Sequence, residues 1–71
     1  SAGLVTETLP IIESGKGYIG VRCAEGLTVS VMRPDGTLCF RSRADEEMRI
    51  NLLPGVYIVD IDGRTTKVIV R

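Results

Sequence analysis

A chain of 71 residues is long enough for one domain, and a domain of this size buries only about 60% of the surface that its unfolded chain exposes. Hydrophobic residues make up 44% of the chain and charged residues 25%, which is typical of a globular domain and too apolar for a disordered tail. The nine basic and nine acidic residues balance, so no net charge favours binding to nucleic acid or to an anionic membrane. There is no run of about 18 apolar residues, which excludes a helical membrane span from the prediction.

Apolar and polar residues alternate along most of the chain, as in strands that bury one face. Residues 9–12 predict an edge strand, because Pro10 is tolerated where one side of a strand needs no donor. Residues 56–59 are apolar in both phases, which predicts that this strand is central and has the most burial on both faces. The other inward positions are predicted at Ile19, Val21, Cys23, Leu27, Val29, Val31, Leu38, Phe40, Ser42, Met48, Ile50 and Leu52.

Turn residues separate these strands. Residues 33–37 combine Pro, Asp and Gly and predict a hairpin turn, and residues 24–26 predict another turn. Asp62-Gly63 lies between two alternating runs and predicts a second hairpin over residues 55–71, entered through Pro54-Gly55. Residues 43–48 have room for no more than one helical turn.

Turn signals therefore recur about every 8–12 residues with strands between them, the spacing of a sandwich and not of alternating strands and helices. We predict an all-β fold, a small immunoglobulin-like antiparallel β-sandwich of six or seven strands that forms a single domain over residues 1–71.

Catalytic chemistry is poorly represented. The chain has no histidine, so the usual general base, metal ligand and partner of a nucleophile is missing. Two carboxylates could still act on a glycoside, but they would need a cleft that a thin sandwich rarely encloses. Lys16 lies between two glycines without the spacing of a phosphate loop, and residues 60–63 lack the bidentate Glu of a calcium loop. We therefore interpret both segments as turns and expect no enzyme, cofactor or metal site.

Two further groups of residues allow alternatives. The outward phase of the strands carries arginines that could form an anion-binding stripe, although the acidic residues 45–47 favour a mixed, solvated face. These arginines are Arg22, Arg41, Arg43 and Arg49. Cys23 and Cys39 fall on opposite phases, which favours free thiols over a disulfide.

The end of the chain carries the most specific pattern. Residues 52–59 read Leu-Leu-Pro-Gly-Val-Tyr-Ile-Val, Gly63 follows, and residues 67–71 read Lys-Val-Ile-Val-Arg. This arrangement resembles the close of the C-terminal sorting domains of the Bacteroidetes type IX secretion system, where a Gly-Val-Tyr-Ile-Val strand precedes a short turn and a final basic and apolar strand. Residues 29–38 are similar to that family's strand, Gly-centred turn and strand. Residues 13–18 stand where the family has an Asn-Pro motif, so the chain is also similar to uncharacterised C-terminal domains of gut Bacteroidetes proteins that lack it.

The resemblance implies a non-catalytic C-terminal domain of a longer protein that is exported through the periplasm and secreted or held at the outer-membrane surface. It would act as a sorting or attachment signal, with the upstream domains of the parent protein and the outer-membrane secretion machinery as partners. The residues implied to carry the signal are Gly55, Val56, Tyr57, Lys67, Val68, Ile69, Val70 and Arg71.

A purely structural interpretation covers the same residues. In this interpretation Lys67 and Arg71 protect an edge strand from aggregation, and the core residues are Tyr57, Val59, Val68 and Val70. The alternative function is thus an immunoglobulin-like structural or protein-interaction module without a sorting role. Weak self-association through exposed sheet edges is a third possibility.

Overall fold

A computed structural model of the chain describes residues 9–71. This part of the chain consists of strands joined by turns and loops, with no helix. The strands are β1 (Ile11–Gly15), β2 (Tyr18–Arg22), β3 (Thr28–Met32), β4 (Leu38–Arg43), β5 (Glu47–Asn51), β6 (Gly55–Ile61) and β7 (Arg64–Val70).

The strands form two antiparallel sheets. The first has three strands in the order β1-β2-β5, and the second has four in the order β4-β3-β6-β7. The chain crosses from one sheet to the other in the connections β2–β3, β4–β5 and β5–β6. This arrangement confirms the predicted all-β sandwich, and the seven strands of residues 9–71 match the larger of the two predicted strand numbers.

The two sheets share one hydrophobic core, because the inward side chains of both belong to a single buried cluster. Two of the crossings are tied together beside it. Gly26 N–H donates to the Ala44 carbonyl at 3.0 Å, and Ala44 N–H donates to the Leu27 carbonyl at 2.8 Å. The buried residues are Ile19, Val21, Ala24, Val29, Val31, Ala44, Ile50, Tyr57, Val59, Ile61, Val68 and Val70.

The predicted turns lie where the sequence places them. Residues 33–37 connect β3 to β4, Asp62-Gly63 connects β6 to β7, and residues 24–26 lie in the β2–β3 crossing. Lys16-Gly17 is the two-residue turn between β1 and β2, which confirms the turn interpretation of that segment. Residues 44–46 form an irregular connection, so the space for a helical turn is unused.

Strand β4 departs from the predicted alternation. Val31 of β3 pairs with Phe40, whereas the next residue, Met32, pairs with Leu38, so Cys39 is the extra residue of a β-bulge. The bulge turns Leu38 to the outer face, where it is 53% exposed, and the prediction that it points inward is wrong. Ser42, opposite Val29 on this edge strand, is also exposed, so its predicted inward position is wrong as well.

Cys23 was predicted to continue the inward phase of β2, and this prediction is also wrong. The strand ends at Arg22, and Cys23 takes a φ of +61°, which breaks the alternation and leaves its side chain exposed. The residue after it, Ala24, is buried in its place.

Strand β6 is central, as predicted, since it pairs with β3 on one side and β7 on the other. Its two faces are not equally buried, however. Tyr57 and Val59 are buried, Ile58 is half-buried, and Val56 on the outer face is 36% exposed. The outer face of β6 is thus less buried than its inner face, because no third layer covers it within residues 9–71.

At the start of the described chain, β1 is an edge strand of the three-stranded sheet, as expected for that segment. It begins at Ile11, directly after Pro10, so the proline precedes the ladder and does not interrupt it. Residues 9–71 contain no helix that is long and apolar enough to cross a bilayer.

The terminal hairpin as a candidate recognition element

The hairpin of β6 and β7 is closed by a tight two-residue turn. Asp62 and Gly63 both have positive φ, +52° and +86°, which is the backbone of the turn type that matches the twist of a two-stranded ribbon. The carboxylate of Asp60 also accepts a hydrogen bond from Gly63 N–H at 2.9 Å. With one oxygen of Asp60 engaged by the backbone, residues 60–63 act as the predicted turn.

This turn brings together the residues that the sequence resemblance singles out. Gly55 pairs with Val70, Val56 with Ile69, and Tyr57 with Val68, while Lys67 lies opposite Ile58. Val56 and Ile69 are 13 positions apart in the sequence, yet they are direct neighbours in the hairpin. The two sequence blocks thus form one continuous two-stranded surface with two faces.

The inner face of this hairpin is occupied by the core. Tyr57, Val68 and Val70 are all buried, with Val70 only 2% exposed. These three side chains are therefore unavailable to a partner that binds the folded domain.

The outer face is accessible. Val56 and Ile69 form a cross-strand pair whose members are 36% and 59% exposed, and Lys67 and Arg71 are exposed on either side of Ile69 along the chain. Apolar side chains flanked by two cations form a small amphipathic surface at the edge of the four-stranded sheet. Only these four of the eight predicted signal residues are placed to be recognised through their side chains; Gly55 has none.

Tyr57 and Gly55 have a specific structural task at the entry of β6. The Tyr57 hydroxyl donates to the Leu53 carbonyl at 2.6 Å, four residues upstream. A hydroxyl that bonds back to the preceding corner is the arrangement of the tyrosine corner in Greek-key sandwiches. Gly55 has a φ of +156°, and a β-carbon there would lie 3.8 Å from the Tyr57 ring, so the chain enters the strand beside the aromatic ring.

Arg71 connects the hairpin to the other sheet through its backbone. Its N–H donates to the Gly15 carbonyl at 3.2 Å, and its backbone oxygen accepts from Gly17 N–H at 2.8 Å. The Gly17 carbonyl in turn accepts from Leu52 N–H at 2.9 Å, just before β6. This set of hydrogen bonds around residue 71, here called the Arg71 latch, joins the ends of β1 and β7 side by side in parallel.

Sequence reasoning missed the Arg71 latch. It identified Gly15 and Gly17 as turn residues but gave them no partner, because hydrogen bonds between backbone groups leave no side-chain pattern. The one related signal in the sequence is the glycine at position 17. Gly17 has a φ of +77°, a backbone conformation that favours glycine.

The four outward arginines are not brought together. Arg22 and Arg49 lie on the three-stranded sheet, whereas Arg41 and Arg43 lie on β4 of the other sheet. Arg22 pairs with Glu13 across β1 and β2 at 2.8 Å. An anion-binding stripe is excluded as a single surface.

The Arg22 neighbourhood is a mixed face with an open hollow. Arg49 lies over the Tyr18 ring at 4.3 Å from its centre, a cation–π contact. Gly20 lies opposite Arg49 in the neighbouring strand and has no side chain. It leaves a shallow concavity that is bordered by Glu13 and Glu47. Both signs of charge surround it, as the solvated-face interpretation predicts.

Both cysteines are free, as predicted, and both are exposed, which agrees with the predicted outward phase of Cys39 but not with the predicted inward phase of Cys23. Among residues 9–71, no three side chains of the Cys, Asp, Glu or His type lie close enough together to hold a metal ion. In the β3–β4 turn, hydrogen bonds from the side chain and the backbone of Thr37 lower the pKa of the Asp35 carboxyl. The backbone bond, from Thr37 N–H to Asp35 Oδ1, is 2.8 Å long.

Comparison of the chain with protein-family models, with curated proteins and with solved structures found no match. The functional argument therefore depends on the sequence resemblance and on the geometry of the hairpin.

Proposed function

We propose that this chain is a non-catalytic C-terminal domain of a secreted or cell-surface protein and that its terminal hairpin acts as a sorting or attachment signal. In this proposal the domain travels with upstream domains to the outer membrane, where a component of the secretion machinery binds the folded hairpin. In this proposal the upstream domains perform any catalysis or binding of the parent protein, and this domain is the signal that directs its export.

The observation that supports the proposal most is that one face of the hairpin packs in the core while the other face is exposed. Tyr57, Val68 and Val70 hold the hairpin in the fold, while Ile69 and Lys67 present exposed side chains from the same strand pair. A rigid strand pair can offer a partner both an apolar contact and a cation at low entropic cost. The type IX resemblance names the same residues.

A second candidate function is an immunoglobulin-like structural or protein-interaction module with no sorting role. The hydrogen bond from Tyr57 to Leu53 and the burial of Val68 and Val70 favour it, because packing alone accounts for these residues. The two functions therefore differ only in the exposed residues of the hairpin, where packing gives no reason for Ile69.

The geometry determines which experiment separates them. Deleting residues 67–71 would remove Val68 and Val70 from the core together with the Arg71 latch, so lost export would reflect unfolding. We instead propose Ile69→Thr, which changes only the outer face and keeps a β-branched strand residue. A reporter protein fused upstream of the complete 71-residue chain is produced in a bacterium with a type IX system, and its export is measured.

Leu38→Thr is the matched control. Leu38 is an exposed apolar residue on the outer face of the same sheet, but it lies on β4, at the opposite edge. A sorting signal in the hairpin predicts reduced export for Ile69→Thr and normal export for Leu38→Thr, with both variants folded. Normal export of both variants, or failure of the unchanged chain to export the reporter, would rule out the proposed signal and favour the structural module.

A further inference from the structure

The outer edge of β7 carries unpaired backbone groups whose direction follows from the hairpin register. In a hairpin with a two-residue loop, the residues that flank the loop, Ile61 and Arg64, form a hydrogen-bonded pair. Every second residue of β7 then bonds to β6, and the residues between them direct N–H and C=O away from it. The outward-directed residues are Thr65, Lys67, Ile69 and Arg71.

The Arg71 latch independently supports this assignment, because the Arg71 N–H reaches Gly15 on the side away from β6. The backbone of Arg71 is thus already engaged, while no strand within residues 9–71 is hydrogen-bonded to the outward groups of Thr65, Lys67 and Ile69. An edge of this kind is a template for one more strand.

A groove runs along this edge between the two sheets. It is bounded by Ile12 and Ser14 of β1 on one side and by Lys67 and Ile69 of β7 on the other, with a volume of about 560 Å³. The Arg71 latch closes one end of it. Within the described residues, the groove therefore has the apolar Ile12 side chain on one side and a row of backbone groups without a strand partner on the other.

The charge along β7 indicates what kind of strand fits. From residue 64 to residue 71 the charged residues are Arg64, Lys67 and Arg71, with no acidic residue among them. A second copy of β7 would bring the same cations to its partner, and pairing centred on Lys67 would place two lysines opposite each other. An acidic segment is complementary.

We propose that β7 binds an extended, acidic segment of a partner protein by β-strand addition to Thr65, Lys67 and Ile69. This inference deepens the proposed function, on which it rests, by naming the binding mode. The added strand places an acidic side chain beside Lys67 on the outer face and directs its alternate apolar side chains toward Ile12 in the groove.

The test uses the isotope-labelled 71-residue chain and a synthetic peptide, acetyl-Thr-Val-Glu-Val-Thr-amide, titrated by NMR. We expect the backbone amide signals of Thr65, Lys67 and Ile69 to shift and to become protected from hydrogen exchange. Lys67→Glu is expected to weaken binding by roughly fivefold, since an opposite-charge cross-strand pair becomes a like-charge pair. The same peptide with Lys in place of Glu should bind this variant better than the unchanged chain.

Arg43→Glu is the matched control, a charge reversal on β4 at the other edge of the sheet, and should leave the affinity unchanged. Absence of binding, shifts on β4 instead of β7, or indifference to Lys67→Glu would overturn the proposal. It would also be overturned if these amides were already protected without peptide, through dimerisation or through residues 1–8.

The two proposals can fail separately. Export that depends on Ile69 without peptide binding to β7 would remove strand addition and leave the sorting signal standing. Peptide binding to β7 together with normal export of Ile69→Thr would rule out the sorting signal and leave strand addition to β7 standing.

Discussion

The Gly17 N–H donates to the backbone oxygen of Arg71 at 2.8 Å, so the end of the last strand is bonded to the first turn of the described chain. Because β1 belongs to one sheet and β7 to the other, this contact fastens the sandwich along one side. It depends on the backbone of residue 71 and not on its side chain.

Removing Arg71 should therefore destabilise the domain, whereas Arg71→Ala should not. A chain that ends at Val70 loses the hydrogen bonds to Gly15 and Gly17, with an expected loss of about 1–2 kcal/mol in the free energy of unfolding. Denaturant titration measures the loss, and hydrogen exchange should become faster at Gly17. Equal stability of the truncated chain and Arg71→Ala would contradict this account of the Arg71 latch.

Tyr57→Phe should lower the free energy of unfolding by about 1 kcal/mol, because the Leu53 carbonyl loses its donor while the ring still fills the core. Tyr18→Phe is the control, since the Tyr18 hydroxyl makes no hydrogen bond within residues 9–71. Thermal unfolding of both variants provides the comparison. The corner interpretation is wrong if the two variants lose the same amount.

Gly63→Ala tests the turn that closes the hairpin. Among residues 9–71, no atom apart from those of the adjacent residues lies within 4 Å of a β-carbon placed there, so the cost arises from the φ of +86° and is expected to be about 1–2 kcal/mol. Gly20→Ala, in strand β2, should be tolerated, because its φ is ordinary and the Tyr18 ring, 4.0 Å away, is the one contact that a β-carbon would meet within the described residues. Denaturant midpoints of the two variants that fall together would show that backbone conformation is not the cause.

The β3–β4 turn predicts a pH effect. Thr37 stabilises the ionised form of Asp35, so the folded-state pKa of this carboxyl lies below its value in the unfolded chain. The resulting stabilisation is present above about pH 4 and is lost as the pH falls through the folded-state pKa. An NMR titration of the Asp35 carboxyl should show the lowered pKa, and Thr37→Val should raise it toward the ordinary value while Thr28→Val leaves it unchanged.

Much of the fold could be predicted from the sequence because its turns are chemically explicit. Asp62-Gly63 has few alternatives to a two-residue hairpin turn, and the alternating runs beside it leave one register that buries Tyr57 and Val68 on the same face. Local preferences of this kind act within a few residues and need no knowledge of distant neighbours.

Two of the failed predictions, those for Leu38 and Cys23, share one cause. Cys39 forms a bulge and Cys23 takes a positive φ, and each event shifts the phase by one residue, so Leu38 and Cys23 itself become exposed. Period-two reasoning assumes an uninterrupted strand, and a single irregular residue puts the residues on its two sides out of phase with each other. For the candidate site, the sequence identified the eight residues but not which of them are accessible.

By itself, then, the sequence determined the all-β class, the position of the turns and the terminal hairpin, because these follow from local backbone preferences and from alternation. Only the tertiary structure decided which face of the hairpin is open, that Arg71 bonds to Gly15 and Gly17, and that β7 lies at an edge. Those features depend on which strands become neighbours across the sandwich. That choice is made by packing between residues far apart in the chain, and local preferences do not encode it.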